Sequence, residues 1–137
     1  MCAEASRILK MQRLEAANEL ITEMACCGRR FFYSDKLDRI GQFEISPRGR
    51  IRFHDEYTDA LIDTYSHHLG AWRKFSHGGS LRSLVEYLRD YIRIGQKLPL
   101  QIIAPEYWGY DHASSKRVQQ KAIELGIIKE HTYAKTA

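Results

Sequence analysis

Four carboxylates crowd one short segment of the chain: Asp55, Glu56, Asp59 and Asp63. Paired carboxylates trade protons in acid–base catalysis or hold a divalent cation. No nucleophile and no phosphate cradle stands near these four. The expectation is therefore a solvated polar turn that offers, at most, a docking surface. His54, His67, His68, His77 and His112 can also be considered as metal ligands. Their spacing fits no zinc pattern, and no cysteine pair brackets them. They are expected in loops facing solvent, with His67 and His68 beside Tyr65 the first pair to inspect. On this reading the chain holds no catalytic constellation, no metal site and no cofactor.

His77, Gly78, Gly79 and Ser80 have the residue types of an esterase oxyanion turn. The Gly-x-Ser-x-Gly elbow and the strand–helix alternation of such enzymes are missing, so acyl transfer is set aside. What remains is a glycine turn into a helix, whose free amides would suit a phosphate or carboxylate. Arg48, Arg50 and Arg52 lie on or beside a hairpin, and Lys36, Arg39, Arg73 and Lys74 would extend their charge across a sheet. A basic sheet face can track phosphates or meet an acidic partner; its bland counterpart is the polar outer face that a half-covered antiparallel sheet needs. Tyr107, Trp108 and Tyr110 make an aromatic loop. Such a loop packs over a sheet end or serves as a hot spot for a protein partner.

The elements that position these residues follow from periodicity. Leu81, Leu84, Val85, Leu88 and Ile92 form one helical stripe. Ser80 is the expected N-cap and Gly95 the expected stop, giving a central helix over 80–94. Leu14, Ala17, Leu20, Ile21 and Met24 mark an N-terminal helix over 4–27. Ile8, Leu9 and Met11 drift off its stripe, which leaves a homodimer through this helix open beside a monomer.

A β-meander is expected over 29–75. Its strands are Arg30–Tyr33, Arg39–Ser46 with a bulge at Gly41, Arg50–His54 and Ala60–Tyr65. Ser46-Pro-Arg-Gly49 is the clearest turn. After Gly95, Leu98–Ile103 reads as extended. A C-terminal helix follows over 115–125, Ile127 and Ile128 tuck onto the core, and a mobile tail runs over 129–137. The fold class is α+β: an antiparallel meander of three to four strands, covered on one face by helices, in the order α-β-β-β-α-α with room for a fourth strand before the second helix.

Length and composition narrow the field. The chain has 137 residues, 44% of them hydrophobic and 28% charged, with a net charge of +4. These are the proportions of one ordinary globular domain. No apolar run is long enough to span a bilayer, and no secretory signal is visible. Cys2, Cys26 and Cys27 make no disulfide framework. The pattern points to a cytoplasmic protein, with Cys26 and Cys27 as small buried residues at a helix end. The positive charge mildly favours an acidic partner.

Several stretches carry a resemblance. They are Gly28-Arg-Arg-Phe-Phe-Tyr33, Arg50-Ile-Arg-Phe53, Glu56-Tyr-Thr58, Trp108-Gly-Tyr110, Leu125-Gly-Ile127 and the whole run Trp72-Arg-Lys-Phe-Ser-His-Gly-Gly-Ser-Leu-Arg-Ser-Leu-Val-Glu-Tyr-Leu-Arg-Asp-Tyr-Ile92. Together they resemble an uncharacterised family of small accessory proteins from bacteriophages, prophages and plasmids, over most of residues 17–126. The family brings no catalytic residue. The resemblance implies a non-enzymatic protein of a bacterial host's cytoplasm that interferes with a host enzyme or defence system, with a host protein as partner. The alternative partner is DNA or RNA, met by the arginine hairpin. A weaker likeness in topology, three strands before a helix, is to plant AP2 and phage integrase amino-terminal modules.

Overall fold

The computed structural model describes residues 3–65 and 72–129. Helix α1 spans Ala3–Cys26. Its stripe of Leu14, Ala17, Leu20, Ile21 and Met24 is buried as the spacing predicts, and Ile8, Leu9 and Met11 stay exposed on the first half. Two short strands follow, β1 (Tyr33–Ser34) and β2 (Arg39–Ile40), with Tyr33 opposite Ile40 and Ser34 opposite Arg39. Then β3 (Gln42–Ile45), β4 (Ile51–His54) and β5 (Leu61–Asp63) form an antiparallel sheet in chain order. Helix α2 spans Gly79–Ile94. Two single 3-10 turns, Leu100–Ile102 and Glu106–Trp108, lead to α3, His112–Glu124. The class is α+β, as read from the sequence.

The sheet alternates cleanly. Phe43, Ile51, Phe53 and Ile62 face inward beneath α1 and α2, and Glu44, Arg52 and Asp63 face outward in one cross-strand row. Edge-to-face aromatic pairs thicken the core, with Phe53 meeting Phe32 at 5.5 Å, Phe43 at 5.2 Å and Phe75 at 5.9 Å between ring centroids. Asn18 pins α1 to the sheet. Its amide donates to the Phe43 carbonyl at 3.1 Å and accepts from the Phe43 amide at 2.7 Å. Asn18→Ala strands both backbone groups, and a loss of about 1–2 kcal/mol is expected in urea denaturation; an unchanged midpoint would mean that water replaces the clasp.

Several sequence expectations need correction. Arg30–Tyr33 is not a strand, because Arg30 and Phe32 adopt positive φ (51° and 66°) to turn the chain out of α1 and bury the Phe32 ring. Arg39–Ser46 is not one bulged strand. It breaks at Gly41 into β2 and β3, which belong to different sheets. A Cβ at Gly41 would stand 2.6 Å from Phe53 Cζ and 2.7 Å from Glu56 Oε1, so only glycine passes there.

Ser80 is not the N-cap of α2. Gly78 holds that position in extended conformation, with no side-chain cap. Helix α3 starts before Ser115, because Asp111 caps it by accepting from the Ser114 amide. That bond, with a second from the Ser114 hydroxyl, holds the Asp111 carboxyl below the usual range. Leu98–Ile103 is extended only at its start, where Leu98 forms a parallel bridge with Ile128 before the 3-10 turn. Ile127 and Ile128 are buried as expected, and the bridge also holds the amide of Lys129, the first residue of the expected mobile tail. Residues 130–137, and the pair His67 and His68, lie outside the described residues. Cys27 is buried but Cys26 is exposed. Among the described residues no helix is long and apolar enough to cross a membrane.

Candidate functional site

The turn after β4 carries two carboxylates out of water. Asp55 and Glu56 are both 0% exposed, so the expected solvated acidic turn is wrong for these two. Asp55 is a hub. One oxygen accepts from the amides of Tyr57 (2.9 Å) and Thr58 (3.0 Å), and the other from the amide (2.6 Å) and hydroxyl (2.9 Å) of Ser76. Burial pushes its pKa up, but the bonds from Ser76, Thr58 and Tyr57 outweigh that and hold the carboxyl below the ordinary Asp range. Glu56 Oε2 meets His77 Nε2 at 2.5 Å, and Glu56 Oε1 is buried with no hydrogen-bond partner.

His77 is not a solvent histidine either. Its side chain is 11% exposed, and its ring lies 4.8 Å from Phe32, 5.3 Å from Phe75 and 6.2 Å from Tyr57. Facing Glu56, it turns away from the amides at the start of α2. Gly78, Gly79 and Ser80 are exposed there, with open space around both glycines. The oxyanion-like motif is thus divided between a buried imidazole and an open helix start. Of the remaining histidines, His54 pairs with Asp59 at 2.5 Å, and His112 pairs with Glu106 at the surface.

The arginine face is close to neutral. Arg50 grips both oxygens of Asp63 (2.9 and 3.1 Å), with its guanidinium 4.2 Å from the Tyr65 ring centroid. Arg52 sits in register between Glu44 and Asp63. Arg39 donates to the Glu56 carbonyl and lies 3.6 Å from Asp59. Arg48 is exposed in the β3–β4 turn, Lys36 in the β1–β2 turn, and Arg73 and Lys74 before α2. The seven residues therefore do not merge into one basic surface. Two opposed carboxylates cut the potential that Arg50 and Arg52 would offer to phosphates.

The aromatic loop divides three ways. Tyr107 is 81% exposed. Trp108 is half-buried, edge-on to Phe31 at 6.1 Å. Tyr110 is a core residue, 5.5 Å from Phe31, so its expected place in a surface hot spot is overturned. Burial pushes the Tyr110 hydroxyl far up, and that hydroxyl has no hydrogen-bond partner. Between α2 and the Glu106–Trp108 turn lies a groove of about 150 Å³ lined by Ser80, Ser83, Leu84, Tyr87, Ile102, Tyr107 and Trp108. Tyr87, which the sequence reading passed over, is 39% exposed on the facing wall. Its signal was an aromatic residue off the apolar stripe of α2.

Comparison with known proteins gives the chain a family. Residues 7–136 match the family model described as YoqU. The chain belongs to the YoqU family. A curated relative, the SPbeta prophage-derived uncharacterized protein YoqU of Bacillus subtilis (strain 168), is 32% identical over 124 residues, covering 90% of this chain and 88% of the relative. The expected resemblance to an uncharacterised prophage-encoded family is thereby borne out. No solved structure matches the chain.

Proposed function

We propose that this YoqU-family chain is a non-enzymatic prophage accessory protein that binds a host protein in the bacterial cytoplasm, through the groove between α2 and the Glu106–Trp108 turn. The observation that carries the reading is Tyr107, 81% exposed, which lines one groove together with Tyr87 and the apolar Leu84 and Ile102. Tyrosine and tryptophan dominate binding hot spots because each brings a large rigid apolar face and one polar handle. A buried partner side chain between the two tyrosines would be shielded from water on both sides. The nucleic-acid reading takes second place, because Glu44 and Asp63 face Arg50 and Arg52.

A photo-crosslinking amino acid at position 107, compared with one at exposed Lys116 on α3, tests the groove directly. The expected result is one discrete host polypeptide adduct from position 107 and none from 116. Tyr107→Ala should then weaken binding of that polypeptide by about 2 kcal/mol, roughly 30-fold. Equal adducts from both positions, or affinity indifferent to Tyr107, would overturn the groove. A nucleic-acid adduct would favour the other reading.

A further inference from the structure

We infer that Asp55, Glu56 and His77 form a site for one divalent transition-metal ion. Each residue offers a ligand atom, and these atoms all lie within 4.8 Å of one another. The independent observation is Glu56 Oε1. It is a buried carboxylate oxygen, on a fully buried residue, with no donor facing it. Proteins rarely leave such an atom without a partner, and a cation supplies one. Gly41 keeps any side chain out of the space in front of this oxygen, since a Cβ there would stand 2.7 Å away.

The other two ligands fit with small adjustments. Ligands about 2.0–2.2 Å from a tetrahedral ion stand roughly 3.3 Å apart, so His77 Nε2 and the Glu56 carboxylate, whose Oε2 now lies 2.5 Å from it, part slightly, and the carboxylate turns to bring Oε1 onto the ion. The ion takes the place of the proton they share. Asp55 has four hydrogen-bond donors, and one of them, the Ser76 hydroxyl, can rotate away. That frees a lone pair for the ion, while the amides of Tyr57, Thr58 and Ser76 keep the carboxylate aimed. Ser76 is exposed, which opens a short path from solvent, and its hydroxyl or a water completes the four-fold shell.

Charge and ligand type select the ion. Two carboxylates and a neutral imidazole balance a 2+ charge among Phe32, Phe53 and Phe75. The imidazole and the small shell favour zinc or a neighbouring first-row ion over calcium or magnesium, which prefer oxygen ligands and more of them. The bound ion clamps the turn after β4 to the residues leading into α2. The groove binding proposed above does not depend on it.

The test is a titration of EDTA-stripped full-length protein with Zn²⁺ and Co²⁺, followed by calorimetry and visible absorption. It uses a background with Cys2→Ser and Cys26→Ser, so that neither thiol competes. One ion per chain is expected. His77→Ala and Glu56→Gln should each weaken binding by more than about tenfold, and His112→Ala, at the exposed surface pair, should not. Nitrogen NMR of labelled histidine in the unsubstituted His77 protein gives a readout that does not depend on any ligand variant folding. A shift of the His77 Nε2 resonance on Zn²⁺ addition is expected. No saturable binding, binding unchanged in folded His77→Ala, or an unmoved His77 resonance at saturation would each overturn the assignment.

Discussion

Asp55→Ala should cost the metal-free protein about 3–5 kcal/mol in urea denaturation, a large part of the stability of a domain this size. The reason is the number of donors gathered on one carboxylate. The amides of Tyr57, Thr58 and Ser76 and the Ser76 hydroxyl all lose their acceptor together. Hydrogen bonds to a charged acceptor are worth about 1.5–3 kcal/mol each, and water reaching the partly exposed donors recovers some of the sum. Asp59→Ala is the control. Asp59 is exposed and pairs with His54 and Arg39 at the surface, so its loss should matter much less. If the two variants unfolded at the same urea concentration, the hub assignment would fail.

The same experiment has a pH signature. The Asp55 carboxyl is held below its ordinary value in the folded protein. A group of this kind contributes its full stabilisation above its unfolded pKa, about 3.9, and loses it as pH falls through the folded value. The gap between the parent and Asp55→Ala should therefore stay flat through neutral pH and close only on acidification below about pH 4. A gap that closed near pH 6 would point to a histidine instead.

Gly28→Ala should be the next most damaging small change, at about 2–4 kcal/mol. Gly28 has a φ of 59°, a left-handed conformation that penalises any Cβ. It also lacks room. The added methyl would press into Tyr110, with Cε1 at 2.5 Å, and lie 3.2 Å from Ser114 Cβ. Tyr110 has nowhere to retreat, since it is buried with its ring against Phe31. Gly126→Ala separates the two causes. Its φ is 75°, yet nothing lies within 4 Å of the added carbon. That variant should lose only the conformational part, about 1 kcal/mol. Equal losses at the two positions would mean that the contact with Tyr110 relaxes freely.

How much of this was legible beforehand depends on the range over which the signal acts. The stripe Leu81, Leu84, Val85, Leu88 and Ile92 is buried residue for residue, and Gly95 ends α2 in the left-handed conformation its type implies. Both signals are local. Tyr91 is buried too, although a polar ring gave no apolar mark. The start of α3 was missed because Asp111 was not read as the cap that accepts from the Ser114 amide.

At the candidate sites the decisive partners are distant in sequence. Glu56 and His77 are 21 residues apart, and neither residue type says whether it faces water or the other. The near-neutrality of the arginine face depends on register. Only pairing β4 with β3 and β5 sets Arg52 between Glu44 and Asp63. Tyr107 could be recognised as aromatic but not as outward-facing, because nothing in its residue type separates it from Tyr110, which follows the left-handed Gly109 (φ 97°) and is buried.

The bridge between Leu98 and Ile128 has a mechanical consequence. Two hydrogen bonds, from the Leu98 amide to the Ile127 carbonyl and from the Lys129 amide to the Leu98 carbonyl, tie both ends of the segment that carries Tyr107, Trp108 and α3. Tyr87 stands on α2, outside that tied segment. The two walls of the groove thus sit on separate pieces, α2 and a segment closed into a loop by its own two ends. Anything that moves the Tyr107 wall away from α2 must therefore turn the closed loop as one piece on residues 95–97, unless the bridge opens and lets the segment deform.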